Sequence, residues 1–137
     1  MRQLRLKQKR KIITMTRNKF DEYITEEYGV LPDWPWDDIT GYVFRHKDNR
    51  KWFALVMEIS ADKLGGEKTN IWVTNVKCDP LFKAGFLSEK GVYTAYHMNK
   101  EHWLTIRLDE VSDETLKTLV SISFDLTAKR YKKKKSA

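Results

Sequence analysis

The stretch Trp52-Phe53-Ala54-Leu55-Val56-Met57-Glu58-Ile59 decides the fold. Such a run, rich in apolar, β-branched and aromatic residues, predicts a β-strand. Successive side chains of a strand point to opposite faces of its sheet. This alternation predicts one face made of Phe53, Leu55, Met57 and Ile59, and an opposite face made of Trp52, Ala54, Val56 and Glu58.

Two further strands flank this stretch. Residues 42–45 precede it and are separated from it by the turn residues 47–50, while residues 71–77 follow a polar loop at 61–69 that contains two adjacent glycines. Polar turn residues between short apolar runs are typical of hairpins. Because short connections favour antiparallel pairing, the three strands are predicted to form an antiparallel meander.

Helices are predicted at both ends of this meander. Thr16 is a suitable N-cap and Gly29 a suitable C-terminal stop, so the first helix is expected at Arg17–Tyr28. Asp79-Pro80 opens a short helix within 81–87, since proline fits the first helical position. Ser112 caps a last helix. Its predicted buried stripe is Leu116, Leu119, Val120, Ser123, Phe124 and Thr127.

Two more strands, at 92–96 and 104–108, complete the pattern. The predicted order is helix, three strands, short helix, two strands, helix. This order indicates an α+β fold, with a single domain and an antiparallel sheet of about five strands. Such a sheet needs cover on at least one face, and we expect the two terminal helices to supply it.

The charge is divided unevenly along the 137 residues, a length that suits one domain. Residues 12–128 hold 14 basic and 19 acidic residues, so the net charge of +7 arises from the two ends. We expect a basic extension at 1–14, a domain at 15–128 and a Lys-rich tail at 129–137. Any attraction of nucleic acid by net charge therefore rests on these tails. The tail residues singled out are Arg10, Lys11, Lys132, Lys133, Lys134 and Lys135.

The composition also indicates the cellular compartment in which the protein is expected. The single cysteine excludes an intrachain disulfide and fits a reducing cytoplasm. No apolar run approaches the roughly 18 residues of a membrane span, and no apolar segment follows the basic N-terminus as in a signal peptide. We therefore expect a cytoplasmic protein with no membrane association, and favour a monomer.

The segment Tyr96-His97-Met98-Asn99-Lys100-Glu101-His102-Trp103 allows two interpretations. In the first, it is a recognition surface, where Lys100 meets a phosphate, Asn99 positions the ligand, and His97 and Trp103 stack or donate hydrogen bonds. In the second, it is architectural: Asn99 caps one helical turn, His102 bonds to the backbone and Trp103 fills the core. The residues alone leave both interpretations open.

This segment, together with Lys77-Cys78-Asp79-Pro80, Arg45-His46-Lys47 and the run 51–55, resembles the MmcQ/YjbR family, close to its YyaQ-like branch. The resemblance covers about residues 15–129. It implies a CyaY-like fold, in which helices pack on one face of an antiparallel sheet, and DNA binding through a proposed double-wing arrangement. The chain has Ser123-Phe124-Asp125 where the family commonly has Ser-Tyr-Asp, which removes one hydroxyl from the last helix.

Catalytic and metal-binding interpretations are weaker. Cys78, His97, His102 and Asp109 are residue types that a thiol hydrolase uses, but a lone cysteine at a strand end is usually a buried filler. His97 and His102 lack an obvious third metal ligand. Glu22 and Glu26, four residues apart, suggest frataxin-type iron binding, yet such carboxylates normally form a solvated helix face. We expect no enzyme activity, no metal and no cofactor.

The sequence thus predicts a non-enzymatic binding module, with DNA as the leading ligand. Trp52 and Trp72 both fall on strands and are able to share a sheet face, which offers an alternative function in binding a protein or a small ligand. The predicted binding residues are His97, Asn99, Lys100, His102, Trp103, Arg45, Trp52 and Trp72.

Overall fold

The computed structural model describes residues 15–37 and 41–129 of the chain. The helices are α1 (Arg17–Tyr28), α2 (Pro80–Leu87) and α3 (Asp113–Thr127), with one 3₁₀ helix at Ala61–Leu64. The strands are β1 (Gly41–Arg45), β2 (Trp52–Ser60), β3 (Asn70–Lys77), β4 (Val92–Thr94) and β5 (Trp103–Arg107). Their order along the chain is the predicted one, and the α+β, single-domain fold class is confirmed.

The five strands form one antiparallel sheet in the order β1-β2-β3-β5-β4. Val56 lies opposite Tyr42 on one side and Thr74 on the other, while Ile106 lies opposite both Thr74 and Val92. The predicted meander of β1, β2 and β3 is confirmed. The chain then passes through α2 to the edge strand β4, and β5 returns between β4 and β3.

The capping residues act as predicted. Thr16 accepts a hydrogen bond from the backbone of Lys19, and Gly29 ends α1 in the left-handed region, with φ +69°. The Ser112 hydroxyl caps α3 by accepting from the backbone N–H of Thr115 at 3.2 Å. These local bonds account for helix boundaries that the sequence located correctly.

One face of the sheet, here called the helix face, is covered by α1 and α3. Both helices contribute fully buried apolar side chains, and so do the strands beneath them. The helix contributions include Phe20, Ile24, Leu116, Leu119 and Val120, and the strand contributions include Tyr42, Phe44, Ala54, Val56, Leu104 and Ile106. The predicted packing of both terminal helices on one face is therefore confirmed, as the CyaY-like arrangement requires.

The opposite face, here called the loop face, has a smaller core of its own. Its buried strand residues are Val43, Leu55, Met57, Ile71 and Val73. They are covered by side chains from three connecting segments, namely Trp36, Leu64, Tyr96 and Met98. Both faces of the sheet are thus covered, one by helices and the other by loops.

The predicted alternation of β2 is wrong at its first residues. Trp52 packs on the loop face, whereas Phe53 packs on the helix face beside Ala54. The cause is a β-bulge, where the register of β1 against β2 shifts between Phe44 and Arg45. A bulge adds one residue to a strand and re-aims its side chains, an irregularity that alternation alone does not reveal.

The hydroxyl of Ser123 closes the ladder next to this bulge. It accepts a hydrogen bond from the backbone N–H of Lys77 at 2.8 Å and donates one to the carbonyl of Phe53 at 2.6 Å. A side chain of α3 therefore bridges β2 and β3, and it ties the helix to the sheet at a buried point.

Phe124, the residue that departs from the family pattern, lies in an aromatic cluster. Its ring centroid is 4.2 Å from that of His46, 4.6 Å from that of Tyr28 and 5.0 Å from that of Phe53. These contacts need no hydroxyl, so the fold tolerates phenylalanine at this position.

A shorter strand than predicted precedes the segment 96–103, here called the signature segment. Strand β4 ends at Thr94, whereas the sequence predicted a strand over 92–96. The N–H of Tyr96 donates to the hydroxyl of Thr105 at 2.8 Å instead of to a strand carbonyl, and His97 has a positive φ of 61°. The chain turns away from the ladder at this point, because a left-handed residue does not continue a strand.

Asp21 and Tyr42 form a partly buried pair between α1 and β1. The Tyr42 hydroxyl donates to the Asp21 carboxylate, 2.6 Å from its nearer oxygen. Burial raises the pKa of Asp21, and the hydrogen bond from Tyr42 partly opposes that rise. Burial, together with the neighbouring carboxylate, also raises the pKa of Tyr42.

We predict that Ser123→Ala destabilises the protein, because it leaves the N–H of Lys77 and the carbonyl of Phe53 buried without partners. Each unpaired group costs about 1–3 kcal/mol. Urea unfolding measures the decrease in stability, and Thr118→Ala, on the exposed side of the same helix, is the control. Equal stability of the two variants would contradict the bridging role.

We predict a pH-dependent effect of Asp21→Asn. Folding raises the pKa of Asp21 above its ordinary value of 3.8. The protonated carboxyl group therefore stabilises the folded state fully below pH 3.8, and this stabilisation is lost as the pH rises through the pKa of the folded state. The asparagine of the variant does not titrate, so the stability of the variant relative to that of the native protein should increase as the pH rises across this interval. Urea unfolding at a series of acidic pH values measures the difference.

The Tyr42→Phe variant provides the control, since it removes the hydrogen bond that lowers the pKa of Asp21. Carboxyl NMR titration should then place the pKa of Asp21 higher still. A lower pKa in this variant would rule out burial as the main cause of the shift.

Candidate functional site

One end of the sheet gathers several of the predicted binding residues. Strand β1 ends at Arg45, β2 begins at Trp52, β3 ends at Lys77 and β5 begins at Trp103. Because neighbouring strands are antiparallel, these four termini lie side by side. We call this region the hairpin end, after the turn that joins β1 to β2. It comprises Arg45, Lys47, Arg50, Lys51, Trp52, Lys77, Trp103 and Lys129.

The C-terminal end of α3 is attached to the same turn. Asn49 donates from its side-chain amide to the carbonyl of Thr127 at 2.8 Å, and His46 Nε2 lies 2.9 Å from the Thr127 hydroxyl. That hydroxyl donates to the carbonyl of Ser123 at 2.7 Å, which leaves the imidazole nitrogen as the donor to it. These buried bonds bring Lys129, two residues further on, close to the turn.

The turn presents more positive than negative charge to solvent, since Asp48 is the single exposed carboxylate among Lys47, Arg50 and Lys51. Lys47, Lys51 and Lys129 are exposed, and within the described residues their ammonium groups form no ion pair. Arg45 differs, because its Nε lies 2.6 Å from Asp33 Oδ2. A guanidinium nitrogen of Arg50 lies 3.5 Å from the same oxygen. Arg45 therefore has a structural partner, and the lysines carry the accessible charge.

Aromatic rings lie next to this charge on the loop face. The rings of Trp36 and Trp52 are perpendicular, with centroids 5.5 Å apart, and the guanidinium of Arg45 lies 5.8 Å from the Trp52 ring. Lys77 is directly opposite Trp103 in the ladder, so the two side chains are neighbours on one face. Arg45 and Lys77 are half-buried, so they place positive charge beside indole rings next to the exposed lysines of the turn.

Several residues of the signature segment maintain the shape of their own loop. Asn99 accepts hydrogen bonds from the backbone N–H groups of Glu101 at 2.8 Å and His102 at 3.2 Å. Lys100 donates from Nζ to the carbonyl of Ala95 at 2.9 Å. These contacts agree with the architectural interpretation of Asn99 and give Lys100 a role within the loop.

The remaining residues of that segment differ in exposure, since His97 is exposed whereas His102 and Trp103 are half-buried. His97 is exposed and its ring lies 3.9 Å from that of Tyr96. His102 places Nε2 3.6 Å from the carboxylate of Glu101, and its backbone carbonyl accepts from the N–H of Cys78. Trp103 is half-buried on the loop face, so it does not fill the core in the way that the architectural interpretation expected.

Trp72 lies far from Trp52, and the predicted common surface of these two residues is wrong. Trp72 is opposite Glu58, near the end of β2, and its ring packs on the helix face, with the guanidinium of Arg17 4.7 Å away. Trp52 lies at the start of β2 and on the loop face. The bulge in β2 and the strand register together separate the two residues.

Cys78 is buried in the helix-face core, and burial raises the pKa of its thiol. A buried thiol with a raised pKa is a poor nucleophile. Among residues 15–37 and 41–129, no three side chains of His, Cys, Asp or Glu come together in a way that would hold a metal ion. In the same part of the chain, no helix has both the length and the apolar character needed to cross a bilayer.

The sequence prediction did not include the lysines of the turn or Lys129 among the binding residues. The turn and the end of α3 are distant in the chain, since the hydrogen-bonded residues Asn49 and Thr127 are 78 positions apart. Two lysines and an arginine within 47–51 were a local signal, but their proximity to Lys129 depends on tertiary contacts. The predicted tail residues Arg10, Lys11, Lys132, Lys133, Lys134 and Lys135 lie outside the described residues.

A buried polar network holds the signature segment against the loop face. The Thr105 hydroxyl donates to Asn75 Oδ1 at 2.6 Å and accepts from the N–H of Tyr96 at 2.8 Å. The side-chain amide of Asn75 completes the network by donating to the carbonyl of Tyr96 at 2.9 Å. Asn75 and Thr105 are fully buried, so each bond replaces water that these groups would otherwise require.

We predict that Thr105→Val loosens this segment, because valine has the same shape but satisfies neither Asn75 nor the N–H of Tyr96. The expected decrease in stability is about 1–3 kcal/mol per unpaired group. Amide hydrogen exchange at Tyr96 should accelerate, and Thr94→Val, at an exposed position of β4, should leave it unchanged. Unaltered exchange at Tyr96 in the Thr105 variant would argue against the network.

Three comparisons place this geometry among known proteins. The family model YjbR matches residues 25–126. An uncharacterised Bacillus subtilis (strain 168) protein, YyaQ, is 34% identical over 116 residues, which cover 82% of this chain and 98% of that protein. Both matches include the segment 96–103, on which the resemblance was based.

Solved structures give the same result. A crystal structure of a Pseudomonas syringae protein, structural genomics target PsR293, is 38% identical and has a TM-score of 0.80, covering 83% of this chain and 100% of that one. Deinococcus radiodurans protein DR2400, at 23% identity and a TM-score of 0.64, covers 88% of this chain and 84% of that one and shares the fold. The predicted resemblance is confirmed, and the chain belongs to the YjbR family.

Proposed function

We propose that this chain is a non-enzymatic nucleic-acid-binding module, that duplex DNA is its ligand, and that the hairpin end is its contact surface. The observation that carries the proposal is the convergence of Lys47, Arg50, Lys51 and Lys129 at one end of the sheet. Exposed lysine and arginine side chains are the groups that proteins use to contact phosphates without regard to base sequence.

The distribution of acidic residues favours one direction of approach. Exposed carboxylates of α1, those of Glu22, Glu26 and Glu27, belong to the helix face. Trp52, on the loop face of the sheet, lies at the same end as the basic turn. A polyanion would therefore meet the hairpin end from the loop-face side, where the repulsion from α1 is weakest.

The tails contribute to the proposal through charge alone. Residues 1–11 and 129–137 each carry six basic residues and no acidic one. The domain between them has a net charge of −5, counted over residues 12–128. A chain limited to residues 15–128, which lacks both tails, including Lys129, should bind duplex DNA more weakly than the full chain, and equal affinities at moderate salt would contradict a contribution from these basic residues.

We predict that the double substitution Lys47→Glu and Lys51→Glu weakens duplex DNA binding and reduces its salt dependence. The slope of log affinity against log salt should become shallower by about 0.9 for each phosphate that the variant no longer neutralises. Fluorescence anisotropy with a labelled duplex at several salt concentrations measures both quantities.

The matched control is Lys63→Glu with Lys68→Glu, at exposed positions near the opposite end of the sheet. It changes the net charge by the same amount but leaves the hairpin end intact. Equally weakened binding in the two double variants would show a general charge effect and would exclude a localised surface. Binding that is insensitive to salt in the native protein would exclude phosphate contacts altogether.

A further inference from the structure

A surface groove lies between α2 and the first half of α3, and none of its lining residues belongs to the hairpin end. Its volume is about 400 Å³, within the range of about 300–1,000 Å³ that ligand pockets commonly have. It is lined by Phe82, Gly85, Phe86, Glu89, Glu114, Thr115 and Thr118. All of these residues belong to the helices or to the turn that follows α2.

The groove has an apolar floor that the fold itself leaves uncovered. Phe86 packs partly against the helix-face core, whereas Leu81 and Phe82 are 85% and 62% exposed. Gly85 adds depth, because no side chain occupies its position and no neighbouring atom lies within 4 Å of where a Cβ would be. Adjacent exposed apolar side chains of this kind often mark a contact with another molecule.

Charge at the groove is of one sign. Glu89 and Glu114 are its two charged lining residues, and Glu89 accepts a hydrogen bond from the Thr115 hydroxyl at 3.0 Å, which links the two walls. Two nearby lysines make contacts outside the groove: Lys83 donates to the carbonyl of Lys100, and Lys117 lies over the ring of Tyr23. Lys90, which follows Glu89 in the chain, is exposed and forms no ion pair among the described residues. The groove therefore combines an apolar floor with uncompensated carboxylates at its rim.

We propose that this groove docks a basic, amphipathic polypeptide segment of a partner protein. Aliphatic side chains of the segment cover Phe82 and Phe86, and its lysines or arginines meet Glu89 and Glu114. An acidic segment is repelled, and an uncharged one leaves the two carboxylates without partners as they lose water. This pattern is that of an amphipathic segment binding in a helix-lined groove.

A suitable probe is a synthetic helical peptide of leucine, alanine and lysine, with its leucines at helical spacing and no acidic residue. It has the required composition and shares no sequence with residues 1–14, which the full chain already carries. Titration of the ¹⁵N-labelled full chain with this peptide should shift the amide signals of Gly85, Phe86, Thr115 and Thr118. Fluorescence anisotropy of a labelled peptide then gives the affinity.

Two variants test the two kinds of contact separately. Phe82→Ser removes apolar surface at an exposed position, and Glu114→Lys reverses a rim charge, so neither should prevent folding. Each should weaken peptide binding by about tenfold. The matched control Leu31→Ser, at a 75% exposed apolar position outside the groove, should leave the affinity unchanged.

Three outcomes would overturn the proposal. The first is a set of shifted signals that excludes the groove and follows the exposed acids of α1 instead. The second is an unchanged affinity in both groove variants. The third is equal binding of a peptide in which every lysine is replaced by glutamate, because the rim carboxylates would then have no role in recognition.

Discussion

The bridge made by the Ser123 hydroxyl is the contact on which the rest of this structure depends. It joins the carbonyl of Phe53 to the N–H of Lys77 at the point where a bulge interrupts β2. By filling that gap it fixes α3 on the sheet. Thr127, one helical turn later, then reaches His46 and Asn49 in the β1–β2 turn. The position of Lys129, and with it the basic hairpin end, follows from this chain of contacts.

The sheet separates two surfaces of different character. On the loop face, Trp52 and Trp103 lie at the same end of the sheet as the basic turn. The hydrogen bonds among Asn75, Thr105 and Tyr96 hold the signature segment in place on this face. On the helix side, α2 and α3 enclose an apolar groove whose charges are carboxylates. The sheet thus keeps the basic surface of the proposed phosphate contact apart from the acidic groove of the proposed peptide contact.

The signature segment illustrates why a family motif identifies a fold more readily than a site. Asn99 and Lys100 bond to the backbone of their own loop, and such bonds are needed in any protein that makes this turn. His97 is exposed in a left-handed conformation, so the same eight residues include both structural and accessible side chains. Sequence alone does not separate the two groups, because both are polar and adjacent in the chain.

The sequence by itself determined the helices, most of the strands, the α+β class and the family, because caps, alternation and short turns act between residues close in the chain. Thr16 and Gly29 bound α1 by such local bonds. Only the tertiary structure decided the bulge that turns Trp52 away from the face of Trp72, and the attachment of α3 to the hairpin. The attachment of α3 depends on residues more than 40 positions apart, such as Ser123 and Lys77, whose pairing no local pattern records.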